Sequence, residues 1–375
     1  MNAVLRLMLD APWRTAAGTL IVRGTARARE SVRIRLRHAD GTMGLGEALP
    51  LPGYSRDDAD AAELALGTIA ARVAGDGLAV PEGPSARGSR AAWLDAALAP
   101  LAQWLASAPS ARFALECALV DLLSRRERVS AAHWLAGGRT LQEVPISVLL
   151  PDDPREAIAA AAAAAARGHG VIKLKIARPD LAPADEDALF EAVRAAADAS
   201  RLLSAGQRVL LRLDANGALD PALAPARLAA LQRHGIELVE EPVAGAALLT
   251  LAALPLPWAA DESLADGALA EALLALPPGR RPAALVLKPA QLGLARCLVL
   301  AETAAARGLG LIVTHSLDGD LGHAAACALA AALPVPPWPC GLAPHAGLRH
   351  PSAALPWLPA PVAAGLGVDD VSAGR

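Results

Sequence analysis

The sequence predicts an α/β protein, a barrel of eight β/α units preceded by a smaller α+β unit, and three observations carry that prediction. Short apolar, strand-like runs start at Val144, Val171, Val209, Ile236, Pro257, Ala284, Gly310 and, weakly, Cys340. Their spacings of 27, 38, 27, 21, 27, 26 and about 30 residues match the roughly 25–30 residues that one β/α unit of such a barrel takes. Ala-rich helical segments fill the gaps, and polar residues end nearly every run. An open doubly wound sheet would not ordinarily place polar chemistry at so many strand ends.

Ahead of the barrel, alternating stretches such as Ser31–Gly41 (SVRIRLRHADG) read as antiparallel strands with a turn at Asp40-Gly41. The run RARES at Arg27–Ser31 reads as a solvated loop or strand edge. Gly44–Ser55 (GLGEALPLPGYS) fits neither structural period and reads as a Gly/Pro-rich loop. A helix with a polar start at Ser55–Asp58 follows, then Ala/Leu-rich helices around Arg90–Ala106 and Ala111–Arg126. Strands followed by helices without βα alternation make an α+β unit.

Composition narrows the function classes. The chain has 375 residues and is 54% hydrophobic, enough for a large core. A net charge of -3 offers no electrostatic case for nucleic acid. Cys117, Cys297, Cys327 and Cys340 lie far apart and read as reduced thiols of a cytosolic protein. Arg6 and Asp10 interrupt the apolar N-terminus, so a secretory signal is not expected, and no run reaches the roughly 20 apolar residues of a membrane span. A soluble cytoplasmic protein is expected, with homo-oligomerisation left open.

The polar residues at the ends of the runs form a series. The second run, VIKLKIA, carries Lys173 and Lys175 on one face. The third brings Asp214 and Asn216, the fourth Glu240 and Glu241, the fifth Asp261 and Glu262, the sixth Lys288, and the seventh Thr314, His315, Ser316 and Asp318. Carboxylates converging from neighbouring strands without a His or Cys ligand set suit a hard divalent cation, Mg²⁺ before Mn²⁺. A cation between lysines suits removal of the proton α to a carboxylate, because the charge of the resulting enediolate must be stabilised. Lys173 and a metal ion would both favour a neutral Lys175, a condition for it to act as base. Lys288 approaches from the far side, so two-base epimerisation and one-base elimination both stay open.

K-x-K, D-A-N-G, E-E-P, D-E-S and L-K-P in this order resemble the enolase superfamily, muconate-lactonizing subgroup, whose sites use a Lys or His base with Mg²⁺. GLGEALPLPGYSRDD resembles the specificity loop of that subgroup's capping domain, especially in the o-succinylbenzoate synthases of menaquinone biosynthesis. The resemblance implies a (β/α)7β TIM-like barrel over residues 140–342 and a capping domain over 1–130 with its specificity loop at about 44–58. A tail over 343–375 would pack back on the cap. It further implies Asp214, Glu240 and Asp261 as Mg²⁺ ligands, Lys175 as base and proton donor to the departing hydroxyl, and Lys173 as partner of the substrate carboxylate. Lys288 would stabilise the enediolate in a synthase or act as second acid/base in an epimerase. Asn216, Arg212, Thr314, Ser316 and Gly53 are the implied supporting or substrate-contacting positions.

The implied activity is a lyase acting on a small-molecule carboxylate, the dehydration of a succinyl-hydroxycyclohexadiene carboxylate. Dipeptide epimerase and N-succinylamino-acid racemase are the alternatives within the subgroup. Dipeptide epimerases usually carry an Asp-x-Asp after the eighth strand, where this chain reads Cys340–Pro344 (CGLAP) without an acid. A barrel that merely binds an acidic metabolite is the alternative of another class, and it would not need a cation on each face. His315 reads as a hydrogen-bonding or substrate-contact residue rather than a catalytic one.

Overall fold

The computed structural model describes residues 4–22, 25–84, 89–200, 208–345, 347–348 and 355–368. Near the N-terminus β1 (Val4–Leu9), β2 (Trp13–Val22), β3 (Thr25–Arg37), β4 (Met43–Ala48) and β5 (Leu78–Pro81) form an antiparallel sheet in the order β2-β3-β1-β5, with β4 on β3. The β3–β4 hairpin turns at Asp40-Gly41, where Gly41 takes a φ of 87° and His38 N donates to Thr42 O. Alternation decides which face is core: Val32, Ile34 and Leu36 are fully buried.

The structure corrects three expectations here. Gly44–Ser55 is not loop throughout, since Met43–Ala48 is the strand β4. Both faces of β4 are covered, so its pattern shows no alternation. The ideal Cβ at Gly44 would lie 2.1 Å from Ala118 O and that at Gly46 1.9 Å from Ala114 O. Only glycine lets the helix Pro109–Glu127 approach so closely. The short strand β5 was not anticipated, and in RARES (Arg27–Ser31) Arg29 is buried rather than solvated.

Helix Ala59–Val73 starts at Asp58, whose carboxylate accepts from Ala61 N as an N-cap. Helix Pro109–Glu127 is buried almost all round because it lies between the sheet and the second half of the chain. Glu116, near its middle, accepts from Leu294 N. Asp121 accepts from Leu45 N at 3.0 Å and from Leu366 N at 2.7 Å. Residues 355–368 run along this joint, with Arg125 Nη2 donating to Val368 O and Ala131 N to Gly365 O.

The second half is a curled parallel sheet of β6 (Val148–Leu149), β7 (Val171–Lys175), β8 (Leu210–Asp214), β9 (Ile236–Glu240), β10 (Trp258–Ala260), β11 (Ala284–Leu287) and β12 (Gly310–Val313), paired in chain order. Single parallel bridges from Cys340 to Ile146 and from Gly341 to Thr314 stand where an eighth strand would close the barrel. Helices cover the outside, from Pro154–Ala166 to Asp320–Ala331. One gap departs from the expected helix: the 21-residue spacing between the fourth and fifth runs holds only the single turn Ala247–Thr250. Among the described residues no helix is long and apolar enough to cross a membrane.

Candidate active site

Register brings the strand ends together. Lys175 pairs with Asp214 across β7 and β8, and Asp214 pairs with Glu240 across β8 and β9. Asp261 follows β10 directly, and Lys288 follows β11. The side chains of Asp214, Glu240 and Asp261 thus stand at the C-terminal ends of adjacent parallel strands, all at most 4% exposed. Four non-glycine residues with left-handed backbone follow β7, β8, β9 and β12: Ala177 (φ 55°), Asn216 (41°), Glu241 (37°) and Leu317 (55°). Such strain persists where surrounding contacts enforce it, and it concentrates at functional sites.

The lysines pair with the acids unequally. Lys173 Nζ lies 2.8 Å from Asp214 Oδ2 and 2.5 Å from Glu240 Oε2. Burial works against its charge, but Asp214 and Glu240 outweigh burial and raise its pKa. Lys288 Nζ lies 2.7 Å from Asp261 Oδ2 and 2.9 Å from Glu262 Oε1 and is raised in the same way. Lys175 has no carboxylate within ion-pair distance among the described residues, and its ammonium stands 6.0 Å from the centre of the Tyr54 ring. Tyr54 belongs to the segment after β4, so the N-terminal unit reaches over the barrel mouth.

The second acid of each doublet braces residues at a neighbouring strand end. Glu241 accepts from Asp261 N at 2.8 Å and from the Ser263 hydroxyl. Glu262 Oε1 accepts from Asn216 Nδ2 at 3.2 Å, while Asn216 N donates to Asp214 Oδ1 at 3.0 Å. Arg212 is fully buried deeper in the barrel, donating to Glu237 Oε2 and to Pro339 O at 2.7 Å, with Glu240 Oε1 3.8 Å away. It therefore backs the acids rather than facing the mouth. Thr314 Oγ1 donates to Gly341 O at 3.1 Å, Gln291 Nε2 donates to Ser316 Oγ at 3.4 Å, and Gly53 lies open with a φ of 79°.

His315 is locked as a neutral ring. Its Nε2 donates to Ala343 O at 3.0 Å and its Nδ1 accepts from Leu317 N at 3.1 Å. His345 and His323 lie 4.7 Å and 5.5 Å from it, centre to centre. Burial, reinforced by those two rings, pushes its pKa down to about 3. With both nitrogens engaged it offers no free base.

Among the described residues no three His, Cys, Asp or Glu side chains stand grouped as a metal site. The donor chemistry nevertheless fits a hard divalent ion. Asp214 and Glu240 already turn one oxygen each to a single cationic centre, the Lys173 ammonium. Asp261 is fully buried, and neither of its oxygens has an aligned hydrogen-bond donor, although Lys288 lies close. A buried carboxylate in that state calls for a cation.

Sequence reasoning passed over Tyr54, Gln291 and Arg29. Each acts through a contact with a distant part of the chain, for which the local pattern carries no signal.

Residues 156–369 match the family described as Enolase C-terminal domain-like. The chain is 32% identical over 338 residues to o-succinylbenzoate synthase of Desulfotalea psychrophila, covering 84% of this chain and 86% of that one. To o-succinylbenzoate synthase of Thermobifida fusca it is 36% identical over 204 residues, 53% of this chain and 59% of that one. The L-Ala-D/L-Glu epimerase of Bacillus subtilis shares the fold with a TM-score of 0.76 at 23% identity, covering 98% of both chains. A parallel barrel with its acids and lysines at the strand ends, under an antiparallel cap, thus coincides with a family match over more than half the chain: this protein belongs to the enolase superfamily.

Proposed function

We propose that the protein is a Mg²⁺-dependent o-succinylbenzoate synthase, a lyase that dehydrates a succinyl-hydroxycyclohexadiene carboxylate. The observation that carries the reading is the division of labour among the lysines. Two are paired with acids on either side of the site, and Lys175, two residues from one of them, carries no carboxylate partner. A base needs a lone pair, and an ammonium held in a carboxylate pair keeps its proton.

Asp214, Glu240 and Asp261 would hold the ion, which when bound stabilises negative charge on carboxylate oxygens. Lys173 binds and orients the substrate carboxylate. Lys175 Nζ takes the α proton, and the electron pair of the broken C–H bond moves into the enediolate. Lys288 offers its positive charge to that enediolate from the opposite side. Lys175 then returns its proton to the β-hydroxyl as the C–O bond breaks, so water leaves and the ring becomes aromatic. The Tyr54 ring stands beside the Lys175 ammonium on the side of the N-terminal unit.

Substrate choice rests on two supports. The relatives at 32% and 36% identity bear the synthase name. The segment after the eighth position, Gly341–Pro344, offers no acid to hold a substrate ammonium, as a dipeptide epimerase would need. Three buried thiols and one half-buried support a reducing, cytoplasmic setting.

The test is turnover of the cyclohexadiene carboxylate beside N-succinylamino acids and dipeptides, in EDTA and after adding Mg²⁺. The reading expects aromatic product with the first substrate, lost in chelator and restored by Mg²⁺. Turnover of dipeptides alone would replace it with the epimerase, and full activity in chelator would remove the metal.

A further inference from the structure

Arg29, on β3, is a buried cation outside the lysine–carboxylate site, 4% exposed. Its Nη1 donates to Leu317 O at 2.5 Å and its Nη2 to Leu49 O at 2.9 Å. The two carbonyls belong to different halves of the chain. Leu49 opens the segment from β4 to Tyr54, the residue over Lys175. Leu317 sits in the turn after β12 with a φ of 55°, between Ser316 and Asp318. Arg29 makes no ion pair among the described residues, and the buried carboxylates of Asp318 and Glu47 favour its charge from nearby. A buried cation is costly unless its geometry repays the desolvation. Here the planar fork reaches two carbonyls at once, which a lysine cannot reproduce.

We propose that Arg29 is a positioning residue that clasps the base of the Tyr54 segment to the Leu317 turn. The clasp fixes the end of the pocket that receives the part of the substrate remote from its reacting carboxylate. The lysines and acids grip one end of the molecule, and the segments that Arg29 joins shape the other. The inference deepens the proposed function and rests on it for the identity of the substrate.

Arg29→Lys and Arg29→Met are compared with the wild-type enzyme by amide hydrogen exchange without substrate and by steady-state kinetics on the same three substrate classes. In Arg29→Lys, the amides of Tyr54, Ser55 and Leu317 should exchange faster by about tenfold, the scale of one lost charged hydrogen bond, with β7 and β11 unchanged. KM should rise by about tenfold while kcat stays within about threefold, and preference among substrates of different length should weaken. Arg29→Met should exceed Arg29→Lys in each respect; where it fails to fold, Arg29→Lys decides. Unchanged exchange in either segment, or a fall in kcat at constant KM, overturns the assignment. Faster exchange throughout, β7 and β11 included, overturns it too, by making Arg29 a general structural residue. If the wild-type enzyme turns over none of the three substrates, the proposed reaction fails, and the exchange data alone decide the clasp.

Discussion

Lys173 and Lys175 leave the same face of β7 and enter different surroundings. Lys173 is held between Asp214 and Glu240, whereas Lys175 meets the Tyr54 ring. Replacing Lys175 by Ala should therefore lower kcat by a factor of about 10³, within the range for a lost general base, and leave the melting temperature nearly unchanged. Replacing Lys173 by Met should instead lower the stability of the fold, read with chelator present. It strands two buried carboxylates and should cost about 3 kcal/mol of stability in urea unfolding. A Lys175→Ala enzyme of wild-type rate, or a Lys173→Met enzyme of wild-type stability, would remove the assigned difference. The two-residue spacing of the lysines is legible in the sequence because a strand alternates. Their unequal roles are implied by the family resemblance alone, and the contacts behind them are not legible, because Tyr54 and Glu240 arrive from remote parts of the chain.

At the scale of elements, β4 and the helix Pro109–Glu127 set the placing of the cap. The segment Gly44–Ala48 reads as loop because glycine is weak in strands and burial on both faces removes the alternation that marks one. The glycines mark a close approach instead, with Gly46 facing the Ala114 carbonyl. Gly46→Ala must push that backbone away and should cost more than about 2 kcal/mol, read as a lower melting temperature. A neutral substitution would show that the helix can shift freely against β4. The barrel strands are legible for the opposite reason. Each is a β-branched or Leu-rich run between Ala-rich segments, at a spacing that is mostly 26 or 27 residues and shortens to 21 where one helix shrinks to Ala247–Thr250. The eighth position is the weakest, since its contribution amounts to isolated bridges at Cys340 and Gly341.

The whole molecule joins its two halves through buried carboxylates. Burial holds Glu116 up at about 7, against an ordinary 4.5, and Asp318 also at about 7, against 3.8. Between the ordinary and the raised value the folded chain binds more protons than the unfolded one. Stability therefore falls as pH rises through that window and levels off above about 7. Glu116→Gln keeps an acceptor for Leu294 N and should flatten the slope between about pH 5 and 8 by up to one proton. Urea unfolding at several pH values reads this, and an unchanged slope would mean that Glu116 does not titrate there. None of these joints is legible in the sequence, where Glu116 and Asp318 are single acids in apolar helical or loop context. The acids of the site are legible because each ends or directly follows a strand, so their common placement is a property of the barrel.

The central claim is proton removal by Lys175 followed by loss of water, and incubation of the wild-type enzyme with the cyclohexadiene carboxylate and Mg²⁺ in D₂O tests it most directly. The account predicts stoichiometric aromatic product, abolished by Lys175→Ala. Recovery of substrate carrying α-deuterium, with no aromatic product, would contradict it.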